Sequence, residues 1–93
     1  MSMAETVRDN PAHHRYEMVI DGETASLHYK LSPGVIDLMH TEVPKALGGR
    51  GVGSTLVDAV LDDVRQRGLK VIPTCPFVRA FLGKHPEYNN LVK

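Results

Sequence analysis

Disulfide bonds, surplus charge and long apolar runs are all missing from this sequence, and each absence removes a class of explanation. A single cysteine, Cys75, cannot form an internal disulfide, which suits a reducing compartment. Eleven basic residues balance eleven acidic ones, so no basic face advertises a nucleic acid or an anionic membrane. No apolar run approaches the roughly 18 residues of a membrane span, and the first residues lack the apolar stretch of a secretory signal. The expectation is a cytoplasmic protein with no nucleic-acid or membrane partner. Of the five histidines only His13 and His14 are close in sequence, so no metal site is expected. At 93 residues the chain makes one domain with one modest core, and a monomer is expected.

What is present is well patterned. Residues 1–14 are polar and aperiodic, with Asp9-Asn10-Pro11 as a turn signal, and read as a flexible tail before a domain spanning 15–93. Tyr16, Met18 and Ile20 then alternate with their neighbours, and Asp21-Gly22 is a two-residue hairpin turn. In the strand that follows, Ala25, Leu27, Tyr29 and Leu31 share the buried face. Ser32-Pro33-Gly34 turns the chain into a third strand from Val35 to about Val43. Its alternation holds to Leu38 and blurs around His40 and Glu42, as a bulge would cause.

After Pro44 the period lengthens. Val52, Leu56, Val60 and Val64, flanked by Val57 and Leu61, make the apolar stripe of a helix that ends near Arg67, with Gly68 as its cap. Asp62 with Arg65 and Asp63 with Arg67 are at pairing distance along it. Leu69 to Thr74 reads as a buried strand, parallel to the previous one across a right-handed crossover. Pro76 opens another helix with Phe77, Phe81 and Leu82 inward, and a short helical turn is expected from Glu87 to Leu91. The fold class is α+β with α/β character. It is a mixed sheet of about four strands, an antiparallel meander followed by a strand-helix-strand crossover and a C-terminal helix.

The segment richest in chemistry joins the third strand to the first helix. Strand-to-helix loops usually run about 2 to 6 residues, whereas this longer one places four glycines, Gly48, Gly49, Gly51 and Gly53, within six positions. Glycines allow positive φ and close approach to a ligand, and the helix start offers free N–H groups and a positive dipole end. Such a loop suits a phosphate. Each hydrogen bond to a charged oxygen contributes about 1.5 to 3 kcal/mol, so the main-chain amides around Arg50 to Ser54 could anchor a diphosphate, with the Arg50 and Lys45 side chains adding charge. A P-loop is excluded because Ser54, not lysine, follows Gly53, and the dinucleotide fingerprint fails because Ser54 stands at its third glycine.

Gly51-Val52-Gly53 resembles the Gly-x-Gly core of the coenzyme-A pyrophosphate loop of GNAT acyltransferases, in which Gln/Arg-x-x-Gly-x-Gly/Ala joins a bulged strand to a helix. Gly48 departs from that pattern, where Gln or Arg is usual, so one side-chain contact is absent. The separated blocks His40-Thr41-Glu42-Val43-Pro44, Gly48-Gly49-Arg50-Gly51, Pro73-Thr74-Cys75-Pro76-Phe77-Val78 and His85-Pro86-Glu87-Tyr88 are similar to the small, N-terminally shortened GNAT-like family. That resemblance runs from about Arg15 to Val92. It implies acetyl-CoA as the bound molecule, held by Val43, Gly48, Gly49, Arg50, Gly51, Val52, Gly53 and Ser54, with the pantetheine arm between splayed strands at Leu38 to Val43 and Leu69 to Thr74. It also implies transfer of an acetyl group to an unknown amine, a small molecule or a protein. The acceptor-pocket elements of longer GNAT domains have no counterpart here, so either the acceptor is bound on an open surface or acetyl-CoA is used without the usual transfer.

Four residues are candidates for the chemistry. Cys75 lies between a strand and a helix start, where a thiolate is favoured and could accept the acetyl group or orient an acceptor, unless it is a small buried apolar residue. His40 or Glu42, near the end of the coenzyme strand, could take the proton of the attacking amine. Tyr88 could protonate the departing thiolate, as a tyrosine does in some GNAT enzymes, or anchor the C-terminal turn. Two alternatives stand beside the transferase: a non-catalytic acetyl-CoA binding or sensing module, and an interaction domain whose glycine loop holds no ligand.

Overall fold

A computed structural model of the chain describes residues 7–93. Five strands lie in the order of the sequence: β1 (Val7–Asn10), β2 (Arg15–Ile20), β3 (Glu23–Ser32), β4 (Val35–Glu42) and β5 (Lys70–Pro73). The first four pair antiparallel and β5 pairs parallel with β4. Helix α1 (Val52–Gln66) crosses from β4 to β5, and α2 (Pro76–Lys84) follows β5. The mixed α+β sheet read from the sequence is present, with one strand more than the roughly four expected.

The added strand corrects the reading of residues 1–14. Residues 1–6 lie outside the described region, but Val7–Asn10 is not a tail: it pairs with Arg15–Met18 and is followed by a 3-10 turn over Pro11–His13. Val7 is its one apolar residue and none of the four is fully buried, so no apolar period marks it. Pairing and side-chain bonds hold it instead. The Tyr29 hydroxyl donates to Asp9 at 2.6 Å and the Asn10 amide donates to Glu17 at 3.1 Å.

The hairpin turn forms where Asp21-Gly22 places it. Both residues adopt positive φ (51° and 76°), the pair of left-handed conformations that a type I′ turn needs. Tyr16, Met18, Ala25, Leu27, Tyr29, Ile36 and Leu38 are buried on one face of the sheet, against α1. Leu31 departs from expectation: it continues the same alternation but is 47% exposed near the end of β3. The α1 stripe is as read, since Val52, Leu56, Val57, Val60, Leu61 and Val64 are all buried. At the end of the helix, Gly68 has φ +70°; its N–H donates to the Arg65 carbonyl and that of Leu69 to the Val64 carbonyl, the paired bonds of a Schellman cap. Asp63 and Arg67 pair as spaced, at 3.6 Å. Arg65 does not pair with Asp62; its guanidinium lies 4.7 Å above the Tyr88 ring and donates to the Glu87 carbonyl, because the C-terminal turn over Pro86–Leu91 folds back onto α1.

Candidate functional site

The site begins with an irregularity in β4. His28 pairs with His40 but the next residue, Tyr29, pairs with Leu38, so Met39 is an extra residue in β4, the bulge the blurred alternation pointed to. The bulge shifts the side-chain parity. Ile36 and Leu38 face the core before it, and Thr41 turns inward after it. There the Thr41 hydroxyl meets the Cys75 thiol at 3.4 Å.

Beyond the bulge β4 loses its parallel neighbour. The register with β5 ends at Leu38 and Pro73, and the last link is the Cys75 N–H donating to the Leu38 carbonyl at 2.8 Å. Pro76 then starts α2, its ring suited to the first turn of a helix. β4 runs on to Glu42 while the chain after β5 veers off, so the two strands part, with Thr41 on one side and Cys75 on the other.

At the far end of this opening lies the glycine loop. A 3-10 turn over Lys45–Leu47, anchored by the buried Leu47, leads into Gly48 and then to Gly49 and Gly51, both with positive φ (77° and 70°). A Cβ at either would meet nothing within 4 Å, so the backbone conformation and not crowding is what calls for glycine there. Gly51 is the N-cap of α1 and has no side chain to fold back on the helix. The first bond at this end is the Thr55 N–H to the Gly51 carbonyl at 3.1 Å, so the N–H groups of Val52, Gly53 and Ser54 have no acceptor within the helix. They border an open groove of about 270 Å³ lined also by Val43, Gly48, Gly49 and Phe77. Such a helix start is an anion site, through its donors and its dipole.

Gly53 has a different reason for being glycine. A Cβ there would come within 2.8 Å of the Phe77 ring, so its missing side chain lets α2 bring an aromatic ring against the start of α1. Phe77 is therefore not on the inner face of α2. It is 43% exposed and forms a wall of the groove, while Val78, Phe81 and Leu82 are buried.

The other residues singled out from the sequence divide. Arg50 is directed away from the helix start: its guanidinium donates to Asp21 in the hairpin turn at 2.7 Å, so its charge is already paired. Cys75 is 3% exposed at the N-cap of α2. Burial opposes its ionisation, but the Thr41 hydroxyl and the N–H groups of Val78 and Phe77 in the first turn of α2 outweigh it and hold the thiol below its ordinary value. His40 and Glu42 are both exposed, with Nε2 of His40 3.2 Å from Oε1 of Glu42. His28 approaches the same oxygen at 3.8 Å. Tyr88 is buried and its hydroxyl donates to Asp58 at 2.7 Å, on the middle of α1. Burial and the Asp58 carboxylate push it up to about 12. The glycine loop and Phe77 line one groove, Cys75 is buried beside Thr41 rather than on the groove's lining, and Tyr88 lies apart on α1.

Two residues were not singled out as site residues, Thr41 beside Cys75 and Phe77 on the groove. For Thr41 the only sequence signal was the bulge, whose position decides which side chains turn inward. For Phe77 the signal was Gly53, a small residue within the first turn of a helix.

Residues 15–91 match the family model described as GCN5-related N-acetyl-transferase. The protein NATD1 of Bos taurus is 35% identical over 81 residues, 87% of this chain and 65% of the relative, and NATD1 of Homo sapiens is similar to the same degree. The chain thus spans just under two thirds of the length of these relatives. A GCN5-like protein from Staphylococcus aureus, solved in solution by NMR, superimposes with a TM-score of 0.72 at 29% identity, covering 100% of this chain and 91% of that one. With a matched region that includes the bulged strand, the glycine loop and Cys75, the chain belongs to the GCN5-related N-acetyltransferase family.

Proposed function

We propose that this domain binds acetyl-CoA and transfers its acetyl group to an amine. The observation that carries the reading is the uncapped start of α1: three N–H groups at Val52, Gly53 and Ser54 without helical acceptors, reached through glycines and bordering a groove lined also by Val43 and Phe77. The residues present fit the diphosphate of coenzyme A, because a helix start without a side-chain cap leaves its donors for a ligand. The backbone of Gly48 and Gly49 and the side chain of Val43 line the approach, and the pantetheine arm would run from Val43 back along β4 toward Thr41 and Cys75. Arg50, paired with Asp21, supports the loop more than it supplies charge.

In the reaction the amine nitrogen forms a bond to the acetyl carbon while the thioester C–S bond breaks; the amine gives up a proton and the departing thiolate accepts one. Cys75 is the group best placed to take part covalently. Its sulfur, whose ionisation is eased by Thr41 and the first turn of α2, would as thiolate displace coenzyme A to form an acetyl-cysteine that the amine then cleaves. His40 with Glu42 is the available base at the rim. Tyr88, committed to Asp58, is an anchor in this reading. A binding module without transfer is the second reading, favoured by one observation: the Cys75 thiol is 3% exposed.

Titration with acetyl-CoA followed by amide NMR tests the binding step, with shifts at Val52, Gly53 and Ser54 expected; amides unmoved at millimolar ligand would refute it. Release of free coenzyme-A thiol with a panel of amines then separates transferase from binding module. Mass spectrometry after acetyl-CoA treatment, with Cys75→Ala alongside, tests the cysteine: no acetyl on Cys75 and unchanged turnover in the variant would exclude the covalent route.

A further inference from the structure

On the sheet face turned away from the core, two imidazoles from different strands converge on one carboxylate. In the register of β3 and β4, Ser26 pairs with Glu42 and His28 with His40, so all four side chains lie opposite the buried Ala25 and Leu27. The bulge makes this possible. Were the register of Tyr29 with Leu38 continued without the extra Met39, His40 would stand across from Leu27 on the core face. As it is, Nε2 of His40 lies 3.2 Å from Oε1 of Glu42, Nε2 of His28 lies 3.8 Å from the same oxygen, and the ring centroids are 5.9 Å apart. Behind His28 stands the buried Ser26, whose hydroxyl is 3.4 Å from the same Nε2.

These side chains are unequally held. His40 and Glu42 are each more than half exposed, and a solvated pair gains little from its attraction once the entropy of holding both side chains is counted. His28 is partly buried and tied to the Ser26 hydroxyl. The charged neighbours from β2 on this face, Arg15 and Glu17, bond each other at 2.6 Å, and the Asn10 amide of β1 donates to Glu17 as well. Among the ion pairs formed by the described residues, His28 is therefore the one partner Glu42 has outside its own strand. An ionised carboxylate only accepts hydrogen bonds, so the two Nε2 atoms facing it carry their protons, and Nδ1 of His40 is left as the nitrogen that can take one up.

We infer that His28 is a positioning residue for the base: it holds the Glu42 carboxylate against the sheet, and Glu42 in turn fixes the His40 ring with Nδ1 open to an incoming amine. This rests on the reading of His40 with Glu42 as the base of acetyl transfer. As the amine nitrogen bonds to the acetyl carbon and the sulfur leaves with the electron pair of the C–S bond, the proton lost by the amine passes to Nδ1 of His40. The imidazolium so formed keeps its Nε2–H on Glu42, whose negative charge stabilises it.

Two measurements on the intact chain test this. In long-range proton–nitrogen NMR spectra of the neutral histidine rings, His28 and His40 are expected as the tautomers protonated at Nε2; a proton on Nδ1 of either overturns the arrangement. Release of coenzyme-A thiol from acetyl-CoA is then followed with a short alkylamine, an amino acid and a lysine-containing peptide as acceptors. His28→Ala is expected to lower kcat about tenfold with KM for acetyl-CoA unchanged, a part of the roughly 10² to 10⁴ that a general base contributes. His28→Gln, whose amide N–H reaches the same carboxylate, is expected to restore it. Unchanged kcat in His28→Ala, or a His28→Gln protein as slow as His28→Ala, overturns the role of His28 and leaves the transferase reading standing. No thiol released by the natural protein with any of the amines overturns the transferase reading and this role together.

Discussion

Gly51 and Gly53 sit two residues apart and are glycine for unrelated reasons. At Gly51 the main chain has φ +70° with open space around the missing Cβ, so Gly51→Ala meets no clash but must hold a left-handed conformation, at about 1 kcal/mol. At Gly53 the φ is ordinary for a helix and alanine would be the better helix former, but the new methyl would lie within 2.8 Å of the Phe77 ring. The two substitutions should therefore separate. Gly51→Ala lowers the urea midpoint; Gly53→Ala leaves it nearly unchanged, shifts the Phe77 ring resonances and weakens acetyl-CoA. A Gly53→Ala protein with unmoved Phe77 resonances would contradict the packing described. The four glycines marked the loop in the sequence, but only the contact with Phe77 separates a glycine needed for conformation from one needed for room. Arg50 makes the same point: its place in the loop suggested a phosphate partner, and its nearest acid proved to be Asp21, 29 positions earlier.

Among the elements, α1 and β1 are opposites. α1 was legible because a helix advertises its buried face at a fixed period, and the valines and leucines of its stripe are all buried. β1 had no such signal. Its place depends on Asp9, which accepts from the Tyr29 hydroxyl at 2.6 Å and lies 3.5 Å from Arg67. Arg67 also donates to the Tyr16 hydroxyl at 2.9 Å, and Tyr16 donates to Asp63 at 2.6 Å. Two tyrosines, two aspartates and one arginine thus tie the edge strand to the end of α1. Arg67→Ala is expected to raise amide exchange at Val7 to Asn10 selectively, with the protection of α1 and β3 kept, since an edge strand opens at lower cost than the core. Uniform loss of protection over the sheet would show that the network supports the whole fold. The bulge in β4 falls between these cases: the broken alternation located it near His40, but its consequence, Thr41 turned toward Cys75, needed the partner strands.

For the molecule as a whole, the buried tyrosines set an alkaline limit. Burial, followed by the bonds to Asp9 and Asp58, raises Tyr29 and Tyr88 from 10.0 to about 12, and burial with Asp63 drives Tyr16 further in the same direction. Below pH 10 the folded and unfolded chains both keep these protons and the stabilisation is complete. Between 10 and 12 the unfolded chain ionises first, so stability falls through that window as pH rises. The urea midpoint measured from pH 9 to 11.5 should drop, and more gently in Tyr88→Phe; an identical slope in the variant would mean that Tyr88 titrates normally. The sequence by itself determined the hairpin, the amphipathic helix, its glycine cap and the glycine loop, because turn chemistry and side-chain period are decided within a few residues. Only the tertiary structure decided that Val7–Asn10 is a strand, that Phe77 walls the groove, that Arg50 is already paired and that Thr41 and Cys75 face each other. Each of those rests on a contact between residues far apart in the chain, and local propensity carries no information about which distant group will arrive.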